Sequence, residues 1–273
     1  MEVSIAFSPC PNDTFIFDAL VHQKIDTNGI RFNYCLEDVE SLNKNAISAK
    51  YDVSKVSFGV YPAIMKNYSI LDSGSALGMG VGPLLVSNES TIDINIDNLD
   101  IAIPGENTTA HFLFSMAYPK ATRKKFMRYD EIEKFVSEGR GLGVIIHENR
   151  FTFQDKGLRK ILDLGEFWEM QTALPIPLGG IVIKQSFEDI VQQTINSLIK
   201  KSVEYAHSNT GLSDFVVQNA QEMTEEVMKK HIDLYVNQFT ISMGESGRQA
   251  VQKMLGFFNL NDFGDFSRNV FMK

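Results

Sequence analysis

Apolar and polar positions switch repeatedly between two spacings along the first hundred residues. Val3-Ser4-Ile5-Ala6-Phe7 reads as a buried strand, followed by the turn Ser8-Pro9-Cys10-Pro11-Asn12-Asp13 and by Phe15, Ile16, Ala19 and Leu20 at helical spacing. Residues 30–36 predict a second strand, 39–49 a helix with Leu42, Ala46 and Ala49 on one face, and 51–58 a third strand. Strands that alternate with helices predict a parallel sheet covered on both faces. Gly74, Gly78, Gly80 and Gly82 ahead of Pro83 then break the rhythm, as a crossover or hinge does.

A second series follows. It comprises a strand at 99–103, the turn Pro104-Gly105, helices from about Thr108 to Ala117 and from Tyr129 to Ser137, Gly139 as a helix C-cap, and a strand at 143–146. A strand at 180–184 leads into three helices. The one over 190–206 carries a clear apolar stripe, and one begins at Thr224 as N-cap with Met223 and Met228 as a staple. Two α/β groups joined through a Gly-rich crossover fit a two-lobed fold, and the expected lobes are residues 1–98 with 186–273, and residues 99–185. A ligand is expected in the cleft where strand ends of both lobes converge.

Composition narrows the ligand. The 273 residues are 44% hydrophobic and 22% charged with a formal charge of −8, and no basic stripe offsets that charge, so neither nucleic acid nor membrane is expected as a partner. The longest Gly-rich apolar stretch is interrupted by Pro83, no membrane span is visible, and no leader pattern precedes the first strand, so a cytoplasmic location is expected. Cys10 and Cys35 have no CxxC or Cys/His metal spacing and are expected to be free thiols. No metal site and no cofactor are expected. Gly78-Met79-Gly80-Val81-Gly82 has neither the helix nor the acidic residue of a dinucleotide fingerprint.

Candidate chemistry lies at the strand ends. Asn12 and Asp13 begin the first helix, where free N–H groups hold polar or anionic groups, although simple capping explains them as well. Lys55 and Ser57 share one side of the third strand and offer a charge and a hydroxyl, against the alternative of an exposed strand-end lysine. Thr108 and Thr109 open a helix and form a ready carboxylate site compatible with an N-cap role. His147 comes directly off a buried strand, where a neutral imidazole can take a proton; His22, His111, His207 and His231 lie in or at the ends of helix patterns and read as structural. Cys10 is assigned no catalysis.

Several stretches resemble the 1,4-dihydroxy-6-naphthoate synthase family of the futalosine route to menaquinone: residues 8–15, 36–40, 78–83, 104–110, 144–152 and 174–179. The resemblance covers nearly the whole chain. It implies a periplasmic-binding-protein-like fold used as an enzyme, a carbon–carbon lyase that splits cyclic dehypoxanthine futalosine into 1,4-dihydroxy-6-naphthoate and dihydroxyacetone without a redox cofactor. It also implies His147 as general base, with Lys55, Ser57, Thr108 and Thr109 on an aromatic carboxylate substrate; a monomer or homodimer is expected. Asn149 stands where the family pattern suggests Gly or Ser, and Phe58-Gly59 is variable, yet neither departure removes a functional group. Two other readings share the fold: a chorismate dehydratase of the same pathway, and a non-catalytic binder of small carboxylates.

Overall fold

The computed structural model describes residues 1–88, 95–220, 224–258 and 270–272. The first lobe opens with β1 (Glu2–Phe7), α1 (Pro11–Val21), β2 (Arg31–Leu36), α2 (Val39–Ile47), β3 (Val53–Ser57), α3 (Tyr61–Ile64), β4 (Tyr68–Ile70) and β5 (Ala76–Gly78). The chain then builds the second lobe from β6 (Leu84–Ser87), β7 (Ile101–Ile103), α4 (Thr109–Ala117), β8 (Lys124–Phe126), α5 (Ile132–Ser137), β9 (Leu142–Ile145), α6 (Asn149–Thr152), β10 (Arg159–Asp163) and α7 (Leu164–Thr172). It returns through β11 (Ile176–Lys184) to α8 (Asp189–Ser208), α9 (Asp214–Asn219), α10 (Glu225–Tyr235), α11 (Gln238–Ile241) and α12 (Gly244–Leu255).

Each lobe has its own sheet, in the orders β2-β1-β3-β11-β4, with β5 also on β11, and β10-β6-β9-β7-β8. The lobes therefore divide the chain elsewhere than at residues 98 and 185. β6 already belongs to the second sheet and β11 to the first, which puts the crossings at about 79–83 and 173–175. The reason is pairing: β5 and β11 run antiparallel side by side, with Ile176 opposite Gly78 and Pro177 opposite Leu77, so the two crossings form one ribbon.

The sheets are mixed, not parallel. β1 is parallel to β2 and β3, as helical crossovers require, but β11 enters from the other lobe and lies antiparallel to β3, β4 and β5. In the second sheet β7 is parallel to β8 and β9, whereas β6 is antiparallel to β9 and β10. Among the described residues five helices follow β11, where three were expected. Ser213 caps α9, Thr224 caps α10 and Asn237 caps α11, each side chain accepting from a first-turn N–H. Met223 of the expected staple lies outside the described residues.

Apolar packing ties the lobes together. One cluster continues from Val56, Phe58 and Leu77 of the first lobe into Leu85, Ile103, Leu113 and Trp168 of the second. Trp168 is fully buried and donates its indole N–H to Pro175 O at 3.1 Å, beside the returning crossover. A second cluster seals α8 on the first sheet through Ile195, Leu198, Ile199 and Val203, the stripe the sequence pattern predicts.

Candidate active site

Between the lobes lies a cleft with about 760 Å³ of empty space, open solvent at its mouth included. Its walls include all seven candidates: Asn12, Asp13, Lys55 and Ser57 from the first lobe, and Thr108, Thr109 and His147 from the second. Apolar faces of Val39, Leu42, Val56, Val81, Pro83, Ile146 and Leu178 fill the space between them.

His147 follows β9 with φ +57°, a left-handed conformation that costs a residue with a Cβ about 1 kcal/mol. Its Nδ1 lies 3.5 Å from Cys10 Sγ on the first lobe, and its ring meets Tyr129 edge-on. Burial lowers its pKa below the ordinary histidine value, and the charges of Glu148, Asp13 and Asp38 pull the other way. The imidazole is thus neutral at pH 7, as a proton acceptor must be. Cys10 is buried, and burial, with help from Glu148, drives its thiol far above the usual range. A thiol held protonated in this way is not a nucleophile.

Lys55 is not the exposed strand-end lysine of the alternative reading; it is 7% exposed. Its Nζ lies 3.1 Å from Asp13 Oδ1 and donates to Gly74 O at 2.7 Å, so its charge is compensated within the protein. Asp13 also accepts from Ser8 N, Ser8 Oγ (2.7 Å) and Asn12 Nδ2 (2.9 Å). Because Asn12 gives its N–H to a carboxylate, its Oδ1 faces His231 Nε2 at 3.0 Å, which assigns the proton of that imidazole to Nε2.

The hydroxyls are engaged as well. Thr108 caps α4, accepting from His111 N and donating to Gly105 O. Thr109 Oγ1 accepts from Gly59 N and donates to Leu178 O at 2.6 Å, a bridge between lobes. Ser57 Oγ accepts from Asn43 Nδ2 at 3.0 Å, and the same amide reaches Asn107 O at 3.1 Å.

Two residues escaped the sequence reading. Asn43 is fully buried and joins both lobes, and its signal was a polar residue beside Leu42 on the apolar face of α2. His231 read as structural, yet it lines the cleft and stacks nearly parallel to His147 at 6.1 Å. It is fully buried, and burial, followed by repulsion from His147, keeps it neutral. Its position at the centre of the α10 stripe formed by Met228, Ile232 and Tyr235 was the available clue.

Two mixed α/β lobes, a two-stranded crossing and a cleft between them define a protein of the periplasmic-binding-protein fold. Solved structures with that architecture include a ligand-binding component of an ABC-type import system from Staphylococcus aureus (TM-score 0.67, 12% identity, 100% and 99% of the two chains). The periplasmic aliphatic sulphonate binding protein of Escherichia coli gives 0.64 at 8% identity, over 98% and 90%. A structure from Archaeoglobus fulgidus matches far better, at 0.87 and 31% identity over 93% and 96%.

The chain belongs to the menaquinone biosynthesis family, whose model matches residues 3–259. Among its curated relatives are the 1,4-dihydroxy-6-naphthoate synthases of Thermus thermophilus, 40% identical over 92% of this chain and 91% of theirs, and of Streptomyces coelicolor, 37% identical over 93% and 91%. No helix among the described residues is long and apolar enough to cross a membrane.

Proposed function

We propose that the protein splits cyclic dehypoxanthine futalosine into 1,4-dihydroxy-6-naphthoate and dihydroxyacetone, with His147 as the general base. The observation that carries this reading is a neutral imidazole at a strand end, facing a largely apolar cleft between the two lobes. The names of the two curated relatives support the product, 1,4-dihydroxy-6-naphthoate.

The chemistry requires a base, a ring slot and an anion site. The base role requires the tautomer in which Nδ1–H donates to Cys10 Sγ, so that the lone pair of Nε2 takes the proton from a sugar-derived hydroxyl. Collapse of the resulting alkoxide breaks the carbon–carbon bond, and aromatisation of the naphthalene ring draws the reaction forward. The substrate carboxylate is assigned to the first-turn N–H groups of α4 at Thr109 and Ala110, both on the cleft wall, with Ser57 nearby. Lys55, already paired to Asp13, shapes the site without adding net charge. A cytoplasmic location suits a biosynthetic enzyme whose Cys10 and Cys35 are free thiols.

The test is turnover of the purified protein, followed by absorbance and mass of the naphthoate. His147→Asn should lower kcat by about 10²–10⁴-fold with KM nearly unchanged. Wild-type protein that binds the substrate saturably without forming product, or a His147→Asn variant with full turnover, sinks the assignment.

A further inference from the structure

We propose that Arg150 is a positioning residue, holding the turn that carries His147 and the Val81–Pro83 wall of the cleft in one fixed relation. This rests on the reading of His147 as the base.

Arg150 lies one helical turn beyond His147, and its N–H donates back to His147 O at 3.3 Å. Its guanidinium leaves that turn for the crossover between β5 and β6. Nη1 donates to Gly82 O, while Nη2 donates to Gly80 O at 2.8 Å and to Asp163 Oδ2 at 2.7 Å. The Asp163 side chain is 1% exposed, and its Oδ1 accepts from Gly165 N and Glu166 N at the start of α7. Both carboxylate oxygens are therefore committed, and the ion pair is anchored to a helix end.

Among the described residues no strand ladder covers the crossover between Gly78 and Leu84, so its polar groups must be satisfied otherwise. Gly80 N donates to Glu169 Oε1, Pro83 O accepts from Leu164 N, and Arg150 takes the carbonyls of Gly80 and Gly82. Gly82 is pressed so close to α7 that a Cβ there would lie 2.2 Å from Gly165 N. Val81 and Pro83, between these clamped groups, line the cleft together with His147. One planar fork thus reaches three acceptors in two directions, which a lysine ammonium on a flexible stem does not reproduce. Reactant positioning is steep: about 1 Å of misplacement costs up to ~10²-fold in rate.

The full-length chain is tested as Arg150→Ala and Arg150→Lys, by kinetics on cyclic dehypoxanthine futalosine and by amide hydrogen exchange. Arg150→Ala should lose about 10–10²-fold in kcat with KM changed less than about threefold. Methylguanidinium at millimolar concentration should restore part of that loss, and Arg150→Lys should remain below wild type. Exchange should rise together in residues 79–83 and 146–152, without a matching rise in α8. Should Arg150→Ala fail to fold, the same paired rise is expected in Arg150→Lys. A kcat within twofold of wild type, or a rise in one segment alone, overturns the proposal. If wild-type protein does not turn over this substrate, the functional reading fails while the exchange result still judges the clamp.

Discussion

Replacing Lys55 by Met tests whether its charge serves Asp13 or the ligand. The variant keeps the aliphatic stem but leaves Asp13, 3% exposed, with only the neutral donors Ser8 N, Ser8 Oγ and Asn12 Nδ2. Stripping one partner from a buried pair costs about 3–5 kcal/mol, and three surviving hydrogen bonds place this case near the lower end, about 3 kcal/mol. At roughly 2 °C per kcal/mol for a chain of this size, thermal unfolding followed by circular dichroism should show a fall of about 6 °C. Asp13→Asn combined with Lys55→Met removes both charges and should recover most of that loss, about 2 kcal/mol relative to Lys55→Met alone. KM of the double variant should stay within about fivefold of wild type, because the net charge of the site is unchanged. A charge-assisted bond from Lys55 to the substrate would instead raise it by about 10-fold or more. A single variant within 1 kcal/mol of wild type, or strictly additive losses, refutes the reasoning.

Further outcomes follow from the same geometry. Gly82→Ala should cost about 3 kcal/mol, since its Cβ would meet Gly165 backbone at 2.2 Å, whereas Gly80→Ala, with open space but φ +69°, should cost about 1 kcal/mol; thermal midpoints in the reverse order contradict the packing. The acid limb of kcat should lie below pH 6.5, because burial lowers the His147 pKa and only its neutral form accepts a proton, so activity is full above that limb and lost beneath it. Glu148→Gln, removing the strongest of the opposing charges, should move the limb lower still; a limb above pH 7 argues against His147. In the folded state both His147 and His231 are depressed, so they bind fewer protons than in the unfolded chain. Their contribution to stability is therefore complete above pH 6.5 and lost as pH falls through the folded values, which urea titrations across pH 4–8 would reveal.

What the sequence made legible were features written locally. Strand ends followed by Pro, Gly, Thr or Asn announce cleft-facing loops, and Asn12, Asp13, Lys55, Ser57, Thr108, Thr109 and His147 all arrive at one cleft for that reason. Partnerships across long separations left no local trace. The pairing of Lys55 with Asp13 spans 42 positions and depends on β1 lying beside β3. Lobe boundaries were misjudged because β6 and β11 are apolar strands whose sheet membership is decided by neighbours far along the chain. His231 was hidden because a histidine on an apolar helix stripe looks the same whether it meets a core or another lobe's imidazole.

The ribbon of β5 and β11 bears on the order in which the protein can be made. β11 occupies the interior of the first sheet, between β3 and β4, so that sheet remains split until residue 184 has left the ribosome. The second lobe is one continuous stretch between β5 and β11 and has every strand it needs before then. At roughly 5–20 residues per second, the opening segment waits about 5–20 s with β3 unpaired on one edge while its neighbour is synthesised. The lobe begun first is therefore the lobe finished last, and the cleft that holds His147 closes only when its missing strand arrives.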